Sequence, residues 1–299
     1  MTENLRGIVA VLVASTAFVL NDVFVKLVSA ELPSGEIIIV RGALATAMLA
    51  TGVVASGAGR PLKLLFTPMM LLRLASAAGA TVFIVISLRY LPLATVITVL
   101  QVTPLAVTAG VAIIFGESVG WRRWLAALTG FLGVVLIVKP DGGLGAAAYL
   151  ALAMLVFSTM RDLTTRGLHH DIPSIFVAAA SAAAIMLAGL LVIPFDEPWR
   201  MPTGLAWGFM TASAACLFVA NTSMIMALRT GEMSVIAPFR YVMVPLSILL
   251  GYWLWGDIPD AIASLGIGLV LAAGLHTLHR ERRGLTRRRT AAPQRSPAE

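Results

Sequence analysis

The sequence predicts an all-α integral membrane protein in which ten transmembrane helices form two five-helix repeats of inverted topology. Three observations lead to this fold class. Hydrophobic residues make up 59% of the 299 residues and charged residues only 12%, whereas soluble domains average roughly 25% charged residues. Apolar segments follow one another along most of the chain, with a mean hydropathy of +0.90. The two halves also resemble each other at a near-constant shift. A soluble enzyme and a disordered chain are thereby excluded.

Each predicted span is an apolar segment long enough to cross a bilayer, which takes ~20 residues. Turn residues or charges separate the segments, as in Glu31-Leu-Pro-Ser34 and Lys139-Pro-Asp-Gly-Gly143. Arg6 precedes the first apolar segment as in a secretory signal, but no soluble domain follows, so a first span is expected. The ten spans are predicted at residues 5–28, 34–56, 68–90, 92–115, 120–138, 144–167, 173–194, 203–229, 232–255 and 259–279.

The basic residues predict how the chain crosses the membrane. With a cytoplasmic N-terminus, the inner flanks of the spans hold fifteen Lys and Arg residues and the outer flanks four. This bias predicts a multi-pass protein of a bacterial-type inner membrane with both termini cytoplasmic. Residues 280–299 contribute +5 of the total charge of +7. We therefore expect residues 281–299 to form a basic cytoplasmic tail that contacts membrane lipid, and we expect no nucleic-acid partner.

An internal repeat is the most informative feature of the chain. Residues in the first half match residues 140 positions later, or 141 in two cases. The repeats are predicted at residues 1–140 and 141–280, and because each holds five helices, the second enters the membrane inverted. Inverted repeats are typical of secondary transporters with a midplane site between the halves. The matched pairs are Asp22/Asp162, Lys26/Arg166, Glu31–Ser34/Asp171–Ser174, Leu88-Arg89/Leu228-Arg229, Pro104/Pro245, Gly116-Glu117/Gly256-Asp257 and Gly133/Gly274.

This repeat, together with local motifs, resembles the drug/metabolite transporter superfamily, of the EamA type. The motifs are the run Leu88–Ala94 leading into the fourth span, Pro104 within that span, Gly116-Glu117 at its end and Arg41 in the second span. The resemblance covers about residues 5–280, and within the family the chain is similar to the broad-specificity amino-acid exporters. It implies a central cavity lined by spans 1, 3, 4, 6, 8 and 9.

Polar residues within the fourth span are candidates for that cavity, because polar groups inside a bilayer usually face a cavity or a polar partner. Thr98, Gln101 and Thr108 fall on one helical face, and Thr103 lies close by. A buried amide such as that of Gln101 needs several hydrogen-bond partners. The alternative is interhelical hydrogen bonding without contact to a substrate.

Two prolines predict kinks at equivalent places in the two halves. Pro104 lacks the N–H that would bond to the Leu100 carbonyl, and Pro245 does the same to Tyr241. Kinked helices at matching positions point to a binding site near Gln101 and Tyr241. Adjustment of helix packing alone is the alternative.

Two acid–base pairs are candidates for gates at opposite ends of the substrate path. Asp22 and Lys26 in the first span, and Asp162 and Arg166 in the sixth, are four residues apart, a spacing at which side chains on a helix meet. The alternative is static neutralisation of charge, with Arg41 or Arg161 sharing a carboxylate.

Four further residues complete the candidate cavity. Arg240 is the deepest basic residue of the second half, and its guanidinium could bind a substrate carboxylate, extend to the interface or pair with Asp162. Asn21, Asn221 and Phe83 are the other candidates, and ordinary packing is the alternative for Phe83.

Other chemistry has no support in the sequence. The single cysteine, Cys216, allows no intramolecular disulfide and no cysteine-based metal site. No clustered carboxylates or nucleophile–histidine arrangement suggests an enzyme, and no nucleotide-binding motif suggests an ATP-driven pump. We therefore expect no metal or cofactor, and the sequence gives no sign of a required protein partner.

The predicted function is secondary transport of small-molecule substrates by alternating access, with export of amino acids of broad specificity as the main interpretation. The alternative is export of another metabolite class, such as a nucleoside, vitamin or drug, on the same fold. A membrane enzyme acting on lipid-linked substrates and a structural membrane subunit are the rival classes. Because Asp22 and Asp162 each have a basic neighbour, facilitated diffusion or exchange is favoured over proton coupling.

Overall fold

The computed structural model describes residues 3–57, 62–116, 120–138, 146–168, 172–230 and 233–291, and these ranges contain no β-strand. The prediction of an all-α fold is confirmed. Short 3-10 segments cover Leu62–Phe66, Ile193–Phe195 and Ala237–Val242. The α-helices are α1 (Glu3–Val28), α2 (Ser34–Ala55), α3 (Pro68–Tyr90), α4 (Leu93–Leu100), α5 (Thr103–Phe115), α6 (Trp121–Val138), α7 (Ala146–Arg166), α8 (Ser174–Val192), α9 (Gly204–Thr230), α10 (Met233–Ile236), α11 (Met243–Trp255) and α12 (Ala261–Ala291).

Every predicted span corresponds to helical structure. Eight helical segments within the described ranges are long and apolar enough to cross a membrane, the last of them at Gly204–Met224. The ninth predicted span is divided among α10, the 3-10 segment and α11, and the apolar part of α12, Ala261–Thr277, is shorter than the eight. Because α12 continues to Ala291, the beginning of the predicted basic tail is a continuation of the last helix.

The packing of the helices is symmetric between the two halves. Helix α1 packs along α9, α3 along α7, α2 along α8, α6 along α12, and α4 against α11. Exchanging each helix with its counterpart in the other half turns the α1–α9 pair into the α7–α3 pair and leaves the α2–α8 and α6–α12 pairs unchanged. A twofold relation between inverted repeats produces this pattern. The α4–α11 contact does not follow this symmetry, because α5 is the counterpart of α11. The division between residues 140 and 141 lies outside the described residues and stays a prediction.

Backbone conformation repeats at the same shift. Pro33 and Pro173, which precede α2 and α8, have φ/ψ of −60°/148° and −59°/133°. Gly116 and Gly256, which follow α5 and α11, are left-handed, with φ of 65° and 71°. A left-handed residue at this position ends a helix and is usually glycine, because a Cβ is disfavoured there. The residues matched in the sequence thus have the same backbone conformation and the same position relative to the helices in both halves.

The fourth predicted span is broken into two helices, where the sequence predicted a kink. Helix α4 ends at Leu100 and α5 begins at Thr103, so that Pro104 lies in the first turn of α5. The first N–H groups of a helix have no partner within it, and a proline there removes no hydrogen bond. In the second half, the 3-10 segment Ala237–Val242 leads into α11, whose third residue is Pro245. The kink predictions are corrected to an interruption before each proline.

Helices α6 and α12 are in backbone contact at two glycines. A Cβ built on Gly133 would lie 2.7 Å from the Gly266 carbonyl oxygen, and one built on Gly266 would lie 2.6 Å from the Gly133 carbonyl oxygen. Small residues allow such an approach of membrane helices, which are held together by packing and not by the hydrophobic effect.

The loop after α8 joins the two halves at one end of the bundle, here called the Glu36 end. Asp196 accepts a hydrogen bond from the N–H of Gly35 in the first turn of α2 (2.9 Å). Glu36, which is 1% exposed, accepts one from the N–H of Arg200 (3.0 Å). Arg89 at the end of α3 forms ion pairs with Asp196 and with Glu197, at 3.5 and 2.6 Å. We call residues 196–203 the clamp loop. Sequence analysis predicted only a break between spans at this place.

We expect Asp196→Ala to destabilise the protein by ~1 kcal/mol, as loss of a helix N-terminal cap does. The substitution removes the acceptor for Gly35 and one partner of Arg89. Thermal unfolding of purified protein in detergent measures the effect. Asp196→Asn keeps one acceptor oxygen and should lose less. Equal midpoints for Asp196→Ala and wild type would show that the loop does not hold this end together.

Candidate functional site

The two helix interruptions meet inside the bundle. Gln101, directly after α4, is 8% exposed, and its Nε2 donates a hydrogen bond to the carbonyl oxygen of Arg240 in the 237–242 segment (3.2 Å). Residues Leu93–Val99 of α4 are all buried, and α4 packs against α1, α3, α6, α7 and α11. Gln101 therefore lies at the centre, where irregular backbone of one half contacts irregular backbone of the other.

Two threonines beside this contact are buried without a hydrogen-bond partner. Thr98 is 0% and Thr103 5% exposed, and neither hydroxyl has a partner among the described residues. Hydroxyls in membrane helices commonly bond to a carbonyl one turn earlier, as Thr108 does to Pro104 (2.9 Å). Thr108 is accordingly accounted for by its own helix, while Thr98 and Thr103 have free hydrogen-bonding capacity.

The remaining cavity candidates have other surroundings. Tyr241 packs its hydroxyl against α12, where a Cβ on Gly274 would overlap it. Asn221 is exposed and donates to the carbonyl of Leu217 in its own helix (2.8 Å). Phe83 is partly buried and stacks on Phe157 of α7, with ring centroids 5.3 Å apart and an interplanar angle of 24°. The structure thus gives Tyr241 and Asn221 contacts of their own and adds Phe157, which the sequence did not single out, beside Phe83.

Asp22 lies in a buried polar cluster between α1, α2 and α9. The Asn21 amide donates to the Asp22 carboxylate, and the Ser213 hydroxyl donates to the Asn21 side-chain oxygen, both at 2.8 Å. Asp22 interacts electrostatically with Arg41 of α2. The alternative in which Arg41 neutralises the carboxylate therefore agrees with the structure. We call these four residues the Asp22 cluster.

The predicted Asp22–Lys26 pair is wrong. The Lys26 ammonium donates to the carbonyl oxygens of Leu88 and Leu91, at 3.2 and 2.6 Å, and lies 5.3 Å from the centre of the Trp255 ring. It also interacts electrostatically with Asp257. A spacing of four residues permits an ion pair but does not require one. In the folded chain, the carbonyl oxygens at the end of α3 lie within hydrogen-bonding distance of the Lys26 ammonium and accept its hydrogen bonds.

Asp162 lies in a second cluster, at the opposite end of the bundle, here called the Asp162 end. Arg161 donates from Nε to the Asp162 carboxylate (2.9 Å). Arg73 of α3 donates to Thr165 of α7 (2.5 Å) and interacts electrostatically with Asp162. Arg240 also interacts electrostatically with Asp162. The Asp162 cluster is Arg73, Arg161, Asp162 and Arg240; the side chain of Arg166, the predicted partner, lies outside the described residues.

The two clusters occupy equivalent positions. At the shift of 140, Asn21 corresponds to Arg161, Asp22 to Asp162 and Ser213 to Arg73, and in both clusters the first residue donates to the Oδ1 atom of the aspartate. Their burial differs. Asn21 is 3% and Ser213 1% exposed as whole residues, whereas the side chains of Arg161 and Asp162 are 34% and 43% exposed. The Asp22 cluster is thus buried, whereas Arg161 and Asp162 of the Asp162 cluster are partly exposed.

The described residues contain no group of three or more His, Cys, Asp or Glu side chains arranged to hold a metal ion.

Comparison with known proteins finds a family, sequence relatives and a solved structure. Residues 5–139 match the model of the EamA-like transporter family. A riboflavin transporter of Vibrio cholerae is 26% identical over 89% of this chain and 91% of its own length. A pseudopaline exporter of Pseudomonas aeruginosa is 26% identical over 93% and 97%.

A shorter match links the chain to an S-adenosylmethionine uptake transporter of Rickettsia felis, 24% identical over 58% of each chain. One solved crystal structure superposes with a TM-score of 0.62 at 20% identity, covering 93% of this chain and 96% of that chain. The superposition shows a shared fold. The sequence relatives include both an exporter and an uptake transporter.

Proposed function

We infer that this chain, which is an EamA-type member of the drug/metabolite transporter superfamily, moves its substrate by opening the two ends of the bundle in turn. It is a small-metabolite transporter and not an enzyme. The observation that supports alternating access is the unequal burial of two equivalent clusters, the Asp22 cluster buried and the Asp162 cluster partly exposed. In an inverted-repeat protein, a second conformation arises when the two halves exchange their arrangements. The environments of Asp22 and Asp162 would then be exchanged.

The predicted topology gives this state a direction. With the N-terminus in the cytoplasm, the Asp162 end faces the cytoplasm and the Glu36 end faces outside. The structure then corresponds to a carrier open to the cytoplasm, with the clamp loop and the Asp22 cluster closing the other side. In this proposal, the two aspartates belong to gates at opposite ends. Asp22 acts together with Asn21 and Ser213, and Asp162 acts together with Arg73 and Arg161. Lys26 has only a structural role.

The substrate is proposed to bind where α4, α5 and the 237–242 segment meet. Thr98 and Thr103 have hydroxyls without partners there, and Gln101 uses one amide hydrogen on the Arg240 carbonyl, which leaves the other hydrogen and the amide oxygen available. Irregular backbone at membrane depth is tolerated where it lines a cavity or is buried in protein. The stacked pair Phe83–Phe157 offers an aromatic surface between α3 and α7.

We propose a substrate of the vitamin or nucleoside type in preference to free amino acids. Relatives named for riboflavin and for S-adenosylmethionine support this choice, and none of the relatives reported above is named for amino acids. An aromatic pair also suits a solute with a flat ring, because aromatic contacts contribute beyond the area they bury. Facilitated diffusion or exchange stays the proposed mode of energy coupling.

Transport into proteoliposomes tests the function and the site together. The panel holds labelled riboflavin, nucleosides, S-adenosylmethionine and amino acids, with empty liposomes as background. For any solute that moves, we expect Gln101→Leu to lower the rate at least about tenfold, because a buried polar site loses the group that pairs with its substrate. Thr108→Val, on the next helix and bonded only to its own backbone, is the matched control and should keep the wild-type rate.

Two outcomes contradict these proposals separately. If no solute of the panel moves above background, the proposed substrate classes are wrong. If a solute moves and Gln101→Leu transports it like wild type, the junction of the two interruptions is not the binding site.

A further inference from the structure

The two equivalent clusters differ in charge as well as in burial. The Asp162 cluster holds three guanidinium groups and one carboxylate, and Arg73 and Arg240 each interact electrostatically with both Asp162 and Arg161. The Asp22 cluster balances one carboxylate with Arg41. Because the positions equivalent to Arg73 and Arg161 are the neutral Ser213 and Asn21, the repeat does not account for the excess positive charge at the Asp162 end.

The arginines of this cluster have unused hydrogen-bond donors. Nη1 of Arg73 and Nε of Arg240 are buried and have no partner among the described residues. A buried charged donor without an acceptor is costly, by more than the value of an ordinary hydrogen bond. Asp162 already accepts from Arg161, and one carboxylate cannot neutralise three guanidinium groups. The cluster therefore has two more positive than negative charges.

The position of the cluster suits a ligand from solution. Asp162 and Arg161 are partly exposed, which gives access from solvent. Arg240 is fixed at the inner side of the cluster, since its carbonyl accepts the Gln101 hydrogen bond. Arg240 thus interacts with Asp162 through its guanidinium and with Gln101 through its carbonyl, so it connects the cluster to the proposed binding site.

We propose that Arg73, Arg161 and Arg240 bind the carboxylate or phosphate group of the transported solute. Guanidinium groups bind both anions through paired, parallel hydrogen bonds. The inference rests on the proposed function and narrows it to solutes that carry a carboxylate or phosphate group and enter at the Asp162 end. Of the panel, S-adenosylmethionine and the amino acids meet this condition, and riboflavin and the nucleosides do not. Asp162 competes with that anion for the same donors, and it keeps the arginines together when the site is empty.

Binding of inorganic phosphate to the purified full-length chain tests the site directly. The protein is held in nanodiscs of phosphatidylcholine, and its unfolding midpoint is followed as sodium phosphate replaces sodium chloride at constant ionic strength. We expect saturable stabilisation of the wild type. Arg240→Gln and Arg73→Gln should each weaken phosphate binding about tenfold or more, as expected for loss of hydrogen bonds to a charged group. Arg123→Gln removes the same charge from an exposed position in the first turn of α6 and should bind like wild type.

A second variant separates a binding role from a structural one. Asp162→Asn removes the competing carboxylate while keeping its size, so we expect tighter phosphate binding. If Asp162 only holds the arginines in place, Asp162→Asn should instead bind phosphate more weakly than wild type, and that result would contradict the proposed competition. If the Gln variants do not fold, the wild-type titration still decides, because an unfolding midpoint that ignores phosphate overturns the proposal.

Further arms identify the source of the anion. Stabilisation by phosphatidylglycerol nanodiscs without any response to soluble phosphate would mean that the cluster binds lipid headgroups, and would overturn the proposal. If phosphate binds as expected but no panel solute is transported, the anion site stands and the proposed substrates fail. A third outcome separates this inference from the transport function. If a solute is transported, but phosphate neither binds nor slows its transport, the inference fails and the transport function stands.

Discussion

Cross-linking α1 to α9 through cysteines at positions 21 and 213 is expected to stop transport completely and reversibly. The Ser213 hydroxyl lies 2.8 Å from the Asn21 side-chain oxygen, and both residues are buried on the closed side of the bundle. In the proposed cycle this contact must open for the solute to leave at the Glu36 end. A covalent bond across it keeps that end shut, so transport should fall to the background of empty liposomes.

The experiment uses Asn21→Cys/Ser213→Cys in a Cys216→Ser background, because Cys216 is the one native thiol. Oxidation with copper phenanthroline forms the cross-link and dithiothreitol removes it. The two single-cysteine variants, treated in the same way, show the effects of the lost hydrogen bonds without a cross-link: Asn21→Cys removes the bonds to Asp22 and from Ser213, and Ser213→Cys removes only the bond to Asn21. Full transport by protein that is demonstrably cross-linked would mean that α1 and α9 do not separate during the cycle.

Gly266→Leu is expected to destabilise the protein by ~3 kcal/mol, at the upper end for overpacking. Even the first carbon of a side chain at this position would lie 2.6 Å from the Gly133 carbonyl oxygen. A backbone atom cannot turn aside as a flexible side chain can, so α6 and α12 would have to move apart. Thermal unfolding in detergent measures the loss.

The same helix supplies the matched control. Gly268 is two residues further along α12, and a Cβ there would meet nothing within 4 Å. Gly268→Leu should leave the unfolding midpoint unchanged or slightly raised, because leucine favours helix over glycine. A similar loss of stability in both variants would mean that added side-chain volume anywhere on α12 is harmful, and that the contact with Gly133 is not the cause.

Most of the fold was predictable because membrane helices are determined by local sequence. An apolar segment of sufficient length has few alternatives in a bilayer, and α2, predicted from residue 34, begins at Ser34. The repeat was also predictable from local sequence, because a glycine stands at both equivalent helix ends. Gly116 and Gly256 have the same left-handed backbone conformation in the structure.

The contacts of individual side chains were less predictable, because they depend on residues far apart in the chain. Lys26 had a carboxylate at the right helical spacing, and only the fold places the carbonyl of Leu91 within its reach. Arg41 and Arg161 were among the alternatives for the two aspartates, and the structure selects them. The Gly35–Asp196 bond spans 161 positions and no local pattern indicates it. The positions of the two prolines, by contrast, indicated where the helices are interrupted, next to Gln101 in the first half.

The clamp loop has a thermodynamic consequence for the empty carrier. Asp196 and Glu36 hold N–H groups of the opposite half, so opening the Glu36 end has to break these hydrogen bonds. If together they favour the closed form by ~3 kcal/mol, fewer than about one molecule in a hundred is open at that end without substrate. The unloaded protein then rests almost entirely in one of its two states. In the proposed cycle, bound substrate has to shift that equilibrium, and the difference between its affinities for the two states determines what fraction of the loaded protein is open at the Glu36 end.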